Sequence, residues 1–183
     1  MTMTIDDDIR YIKVKDAYEL FITDCVTVRT GTLLHQAIAA LIEKPTVQTI
    51  YVVDVQGKLV GIVPIRDLLR LAGARYGVRP KGVGSFFAYL KDVMKSNVEE
   101  FMRPPLKVGL EDNLKDSLRM MEAYGLSDLP VVDGSGKVLG ELNGIEVLKY
   151  MMDGVAKGEQ MYKELQEARA KKEREAQRGK AKK

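Results

Sequence analysis

The chain has 183 residues, of which 45% are hydrophobic and 30% are charged, with one Cys, one His and no Trp. This length fits one large domain or two small ones, and it is sufficient for a conventional core without disulfides or metals. One cysteine excludes an internal disulfide, and one Cys with one His is too few for a Cys/His zinc site. The sequence opens without a signal-peptide pattern, and no apolar run approaches the ~18 residues of a membrane span. We therefore expect a cytoplasmic protein with no membrane span.

The net charge of +3 is unevenly distributed along the chain. Residues 157–183 hold ten Lys/Arg and five Glu, so that segment carries +5 and the rest of the chain carries −2. Its low content of large apolar residues predicts a solvated helix or tail. Two functional interpretations stay open, a helix that pairs with a protein and a basic surface that contacts nucleic acid. A solvated face with no partner is the simplest explanation of the charge.

The chain contains an internal duplication, which is its most informative feature. The stretch TIYVVDVQGKLVGIV, which begins at Thr49, aligns at a constant offset of 79 with DLPVVDGSGKVLGEL, which begins at Asp128. Upstream, the apolar pattern that begins at Leu34 matches the pattern that begins at Leu114 at an offset of 80. The two halves are therefore copies of one unit.

In chain order, each unit predicts strand, helix, strand, strand, helix. Val26 and Val28 mark the first strand, and apolar residues at helical spacing follow from Leu34. An apolar pair of strands joined at Gly57 predicts a hairpin, and a second helix follows from residue 65 to 72. The second unit repeats this order from residue 106 to 152. We predict Thr30 or Thr32, and Asp112 or Asn113, as the N-caps of the first helix in each unit.

Composition sets the domain boundaries. We predict a first repeat over 14–72, a second repeat over 98–152 and a basic C-terminal extension over 153–183. Residues 73–97 combine a Gly- and Pro-containing loop with an amphipathic stretch, which predicts a loop and a linking helix.

The duplicated strings resemble a known family. YVVDxxGKLVGIVxxxDLL in the first unit and LPVVDxxGKVLG, preceded by FMRPP, in the second are similar to a tandem pair of cystathionine β-synthase (CBS) domains, also called a Bateman module. Any one string is a weak signal, but two in-phase copies with the same predicted element order are specific. The resemblance covers about residues 14 to 152.

The resemblance implies an α/β fold in which two repeats pack through their sheets with pseudo-twofold symmetry. It also implies two clefts that bind adenosine compounds, of which AMP is the first expectation and ADP, ATP or S-adenosylmethionine are the others. These are regulatory ligands, and no cofactor is required. Family members form homodimers in which four repeats make a flat disk, and they act on protein effectors.

In the family, a strand ending in Gly leads to Ser/Thr-x-x-Asp, in which the Asp binds the ribose hydroxyls and the hydroxyl residue faces the phosphate. In the first repeat, Asp67 matches the ribose position, Pro64 replaces the hydroxyl residue, and Arg66 can supply positive charge. An acidic residue is also favoured at a helix N-terminus without any ligand. The residues that the resemblance assigns to the remaining wall of this site are Val63, Ile65, Cys25, Val26, Ile50 and Tyr51.

The second repeat departs further from the family pattern. Asn143 stands at the hydroxyl position and Glu146 at the acidic position, while Asp128 precedes the second strand, where a basic residue is common. A carboxylate there repels phosphate, so we rank this site below the first. The residues expected on its adenine side are Pro105, Leu106, Leu129 and Pro130.

The sequence contains no catalytic or metal-binding motif, so we expect a protein that is not an enzyme and that binds no metal. The alternative function is that of an interaction or scaffold protein, in which both clefts are degenerate and the basic tail recruits a protein or nucleic acid. Pro64, Asn143, Glu146 and Asp128 favour that alternative.

Overall fold

The computed structural model describes residues 12–18, 25–74, 83–145 and 147–154. In the first half of the chain the elements are α1 Val14–Tyr18, β1 Val26–Arg29, α2 Leu34–Ile42, β2 Thr49–Val53, β3 Leu59–Pro64 and α3 Ile65–Ala74. They are followed by α4 Val83–Met94, a 3₁₀ turn Val98–Glu100, β4 Val108–Gly109, α5 Leu114–Tyr124, β5 Asp128–Val132 and β6 Val138–Asn143. The helix α4 confirms the predicted linking helix.

The two repeats form two sheets of the same design. The strand orders are β1-β2-β3 and β4-β5-β6, with the first pair parallel and the second pair antiparallel in each sheet. Each hairpin has a register shift at the same place, between Val52 and Val53 in one repeat and between Val131 and Val132 in the other. The predicted α/β class and the duplicated strand order are therefore confirmed.

The turns of the two hairpins explain the VVDxxGK string. Gly57 has φ +81° and Gly136 has φ +87°, a left-handed conformation that costs glycine little. The Asp54 carboxylate accepts hydrogen bonds from the backbone amides of Gln56 and Lys58, at 2.8 and 2.9 Å. Asp133 does the same in the second hairpin. This aspartate therefore stabilises the turn, and the VVDxxGK string by itself indicates a hairpin.

One face of the first sheet packs on its own helices. The buried apolar cluster joins strand residues with helix residues such as Ala37 and Leu41, which lie at helical spacing on α2. Its strand members include Val26, Val28, Ile50, Val52 and Val63.

The other faces of the two sheets meet each other. Residues paired across antiparallel strands share a face, so Thr49, Tyr51, Ile62 and Pro64 lie together. The Thr49 hydroxyl donates a hydrogen bond to Asp128, its own equivalent at the offset of 79. Lys58 and Lys137, which are also equivalent, form a backbone bridge at the other end. Contacts between equivalent residues lie on a twofold axis, which confirms the predicted pseudo-twofold packing.

Each repeat also receives the chain segment that leads into the other repeat. Residues near Lys13 bond to the second repeat. There the Val14 amide donates a hydrogen bond to the backbone carbonyl of Asp112 at 2.9 Å. In return, the segment that leads into the second repeat bonds to the first repeat. There the Val98 amide donates a hydrogen bond to the backbone carbonyl of Thr32 at 2.8 Å. This exchange brings residues of the second repeat into the cleft of the first.

The exchange also explains the helix caps. Asn113 caps α5 as predicted, and its side chain accepts from the Lys115 amide. The prediction of Thr30 or Thr32 for α2 is wrong, because the cap is Leu33. The first amide of α2, at Leu34, donates to the carbonyl of Ser96 at 2.9 Å. A backbone carbonyl from the exchanged segment thus replaces a side-chain cap.

The chain divides into two compact units, one ending at Gly144 and one beginning at Ile145. In the second unit, residues 147–154 are helical, and Leu148 and Met152 are exposed. The charged segment 157–183 lies outside the described residues. Within the described ranges, no helix is both long enough and apolar enough to span a membrane.

Candidate functional site

The predicted ribose-binding residue lies at the start of α3. This helix begins at Ile65 directly after β3, and its first amide donates to the Gln48 carbonyl at 2.8 Å. Arg66 and Asp67 therefore stand in the first turn, where a carboxylate is favoured by the helix dipole. Asp67 is 19% exposed, so its carboxylate is partly removed from solvent.

An arginine from the second repeat holds this carboxylate. The Nε and Nη2 atoms of Arg103 bind both carboxylate oxygens of Asp67 in a forked ion pair. The backbone of Arg103 is fixed to β3, because its amide donates to Ile62 at 2.8 Å and its carbonyl accepts from Ile62 at 3.1 Å. The exchanged segment thus places a cation against the predicted ribose site.

A second arginine lies close by. Arg66 Nη1 donates to the Gly125 carbonyl at 3.4 Å, and Arg103 Nη1 lies 3.5 Å from the Tyr124 carbonyl. Tyr124 ends α5 and Gly125 is its C-cap, so both guanidinium groups approach the negative end of that helix. Gly125 has φ +61°, and a Cβ there would clash with Arg66 Nη1. Glycine therefore permits both the left-handed cap and the approach of Arg66.

A narrow cavity lies beside Arg66 and Gly125. A cavity of about 20 Å³ is lined by residues of both repeats, which are Gln48, Thr49, Pro64, Ile65, Arg66, Gly125, Leu126 and Ser127. Such a volume admits about one water molecule. A nucleotide therefore requires side chains to move, and Arg66, which is exposed, lines this cavity.

The other residues predicted for the first site are divided between the two faces of the sheet. Val26, Ile50 and Val63 belong to the helix-side core, so their side chains point away from the second repeat. Tyr51 and Pro64 lie on the inner face.

Two further residues predicted for this site lie outside the sheet. Ile65 is partly exposed. Cys25 is partly buried, and its carbonyl accepts from Lys44 Nζ at 3.4 Å.

The residues predicted for the second site are divided in the same way. Pro130 and Asn143 share the inner face of the second sheet, and both are buried. Leu129 pairs with Leu142 on the opposite face. Pro105 and Leu106 are partly buried and follow Arg103 by two and three positions. Glu146 lies outside the described residues.

Between the sheets, the second repeat contributes buried carboxylates. Glu141 is fully buried and accepts a hydrogen bond from the Tyr51 hydroxyl at 3.1 Å and from Asn143 Nδ2 at 3.5 Å. Burial, and next the negative charge of Asp128, raise the pKa of Tyr51 well above its ordinary value, so its hydroxyl stays protonated as a donor.

Asp128 is also buried, and it bonds to the first repeat. Its second carboxylate oxygen accepts from the Gln48 amide at 3.0 Å, in addition to the bond from Thr49. Burial raises the pKa of Asp128, and these two hydrogen bonds partly oppose that effect. Asp128 therefore links the two repeats.

Sequence reasoning missed two residues. Arg103 lies in the quoted FMRPP string, but its proximity to Asp67 depends on the segment exchange, which no local pattern reveals. Glu141 did carry a signal, because it is a charged residue inside an apolar strand where the first repeat has Ile62.

A larger apolar cavity lies on the helical side of the first repeat. Its volume is about 490 Å³, and its walls come from α2, α3 and α4 and the loop after α2. The lining residues are apolar, and Ile42 and Leu69 among them are 70% and 66% exposed. No group of three or more His, Cys, Asp or Glu suited to a metal ion occurs among the described residues.

Comparison with protein families gives one match, which occurs twice. The CBS domain model matches residues 14–73 and 98–153, together more than half of the chain. The chain is also 28% identical over 148 residues to inosine-5'-monophosphate dehydrogenase of Methanocaldococcus jannaschii. That alignment covers 80% of this chain but only 26% of the dehydrogenase, so the chain spans about a quarter of that relative's length.

Two solved structures are similar over most of the chain. A CBS domain-containing protein of Thermotoga maritima, TM0935, has a TM-score of 0.65 and 27% identity, and the match covers 78% of this chain and 96% of that one. CBSX2, a CBS-pair protein of Arabidopsis thaliana, was solved in complex with AMP. That complex has a TM-score of 0.57 and 28% identity, and the match covers 77% and 96% of the two chains.

Proposed function

Because the chain belongs to the CBS domain family, we propose that it is a non-catalytic regulatory module that binds an adenine nucleotide, AMP first, in the cleft around Asp67. The observation that carries this proposal is the carboxylate of Asp67 at the start of α3, which binds the guanidinium group of Arg103 from the second repeat, with Arg66 beside it in the same helical turn. A carboxylate accepts both hydroxyls of a ribose diol, and guanidinium groups suit phosphate. The AMP complex of CBSX2 supports the same ligand class.

Binding has a regulatory effect only if the ligand prefers one arrangement of the two repeats. In this proposal the nucleotide separates Arg103 from Asp67, which is a contact between repeats. The resulting change of shape reports the adenylate energy state to a protein effector in the cytoplasm. ADP, ATP and S-adenosylmethionine are the competing ligands.

We further propose that the protein acts as a homodimer through the helical side of the repeats. The apolar cavity lined by α2, α3 and α4, with exposed Ile42 and Leu69 at its rim, supports this surface. The partly buried Leu68 also lines it. Light scattering on the purified chain tests the dimer, and a monomer mass at micromolar concentration contradicts it.

Calorimetric titration with AMP, ADP, ATP and S-adenosylmethionine tests the ligand. We expect AMP to bind most tightly and Asp67→Ala to weaken it at least about tenfold, since a charged hydrogen bond contributes about 1.5–3 kcal/mol. Asp116→Ala is the matched control, because Asp116 pairs with Arg119 on an exposed helix face. Absence of heat with all four compounds, or an unchanged affinity in Asp67→Ala, would contradict the proposal and favour the scaffold alternative.

A further inference from the structure

The ion pair between Arg103 and Asp67 gives each charged group a partner within the protein. Arg103 is 31% exposed and Asp67 is 19% exposed, so both charges are partly withdrawn from water. Removing one partner of such a pair leaves the other charge uncompensated, which is more costly than losing an exposed pair. Any ligand that takes the carboxylate of Asp67 therefore also deprives Arg103 of its anion.

We infer that Arg103 makes this cleft selective for ligands that carry a phosphate. The inference rests on the proposed function, in which a ribose diol takes the carboxylate of Asp67. A nucleotide then supplies a second anion, its phosphate, to the guanidinium group that the diol has displaced. A nucleoside takes the carboxylate and supplies nothing in return, so it binds at a cost that the nucleotide avoids.

The surroundings of Arg103 allow this change of partner. Its backbone is held by both hydrogen bonds to Ile62, so only the side chain has to move. Its remaining contact, to the Tyr124 carbonyl, is long at 3.5 Å. A guanidinium group presents five donors in a planar fork, which matches the oxygens of a phosphate as well as those of a carboxylate.

A second cation lies at the same end of α5. Arg66 also has a long contact, 3.4 Å, to a backbone carbonyl, and its side chain is exposed. The equivalents of these arginines at the repeat offsets are Ile145 for Arg66 and Thr23 for Arg103, so the sequence provides this pair of cations at one of the two clefts only. The charge pattern therefore assigns phosphate selectivity to the Asp67 cleft.

Titration with AMP and with adenosine tests the inference. We expect the wild-type chain to bind AMP at least about tenfold more tightly than adenosine, because the phosphate gains charged hydrogen bonds. In Arg103→Gln we expect AMP to bind about tenfold more weakly and adenosine to bind as in the wild type or more tightly. Arg119→Gln, which removes an exposed arginine of α5, should leave both affinities unchanged.

Arg103→Lys is a second variant, which tests the inference even if Arg103→Gln does not fold. It keeps the charge without the fork, so its preference for AMP should fall between those of the wild type and Arg103→Gln. An unchanged or increased AMP preference in either variant would overturn the inference while the proposed function stands. If the wild type binds AMP and adenosine equally, the inference also fails alone. If it binds neither compound, both proposals fail.

Discussion

The two repeats differ in chemistry far more than in architecture. Their strands have the same order, and their hairpins shift register at equivalent positions. On the inner face, however, the first repeat carries Ile62 and Pro64 where the second carries Glu141 and Asn143. The two repeats therefore share one sheet architecture. The polar side chains on the inner face of each sheet differ, and so do the residues in the first turn of the helix that follows.

We expect the largest loss of stability from substitutions at buried positions where the two repeats are alike. Leu34 and Leu114 are equivalent first residues of α2 and α5, and each is 1% exposed. We expect Leu34→Ala and Leu114→Ala each to lower the free energy of unfolding by about 2–5 kcal/mol, because each leaves a cavity in a packed core. Urea unfolding measures both. A difference of more than about 2 kcal/mol between them would show that the two helix-side cores are not equivalent.

The asymmetric inner face predicts the next effect. Tyr51→Phe removes a donor from the buried carboxylate of Glu141, so we expect a loss of about 1–3 kcal/mol in the free energy of unfolding. Glu141→Leu, which makes this position resemble Ile62, leaves the Tyr51 hydroxyl without that acceptor. The double variant should lose less than the sum of the single losses.

Tyr124→Phe is the control for that cycle, because Tyr124 is exposed and its change should stay within about 0.5 kcal/mol. Strictly additive losses in the Tyr51 and Glu141 cycle would contradict a direct interaction between these side chains.

The helix ends differ as well, and Gly125 tests that difference. The C-cap of α2 is Glu43, with φ −67°, whereas the C-cap of α5 is Gly125, with φ +61°. Gly125→Ala should cost about 1–2 kcal/mol of unfolding free energy through the left-handed backbone, and it should displace Arg66. Gly134→Ala is the control, since its added Cβ meets nothing within 4 Å. Equal stability of the two variants would contradict the cap assignment.

The smallest effect concerns pH. Burial raises the pKa of Asp128 above its ordinary value of 3.8, so the folded chain holds this proton more tightly than the unfolded chain does. The contribution of Asp128 to stability is therefore greatest at low pH and falls as pH rises from about 3.8 through the raised pKa. Urea unfolding at a series of pH values measures this effect. Relative to the wild type, Asp128→Asn should become more stable as the pH rises over that range.

Asp133 supplies a control of opposite sign. The Ser135 hydroxyl, followed by the Lys137 amide, lowers the pKa of the Asp133 carboxyl, so this group stabilises the folded chain at pH values above its ordinary pKa. Asp133→Asn should therefore lose stability relative to the wild type as pH rises from acid to neutral. Parallel pH profiles for the Asp128 and Asp133 variants would contradict these assignments.

Local patterns predicted most of the fold. The offset of 79 anticipated both sheets, because alternation and turn residues act over short distances and recur in each copy. The same alternation separates Ile50 from Tyr51, since neighbouring strand residues point to opposite faces.

The contacts between repeats were less predictable. Arg103 and Asp67 are 36 residues apart, and they meet because the segment leading into the second repeat bonds to the strand of the first. Likewise, Ser96 replaces a threonine cap at α2 only because of that exchange. Such long-range pairings depend on how the sheets pack, which the local sequence does not encode.

We propose that AMP binds the Asp67 cleft in preference to the second site, and the stoichiometry of AMP binding tests this proposal most directly. Calorimetry on the full chain should give one AMP per chain, with an affinity that Asp67→Ala weakens at least about tenfold and Asn143→Ala leaves unchanged. Two AMP molecules per chain, or loss of binding in Asn143→Ala with binding retained in Asp67→Ala, would contradict the claim.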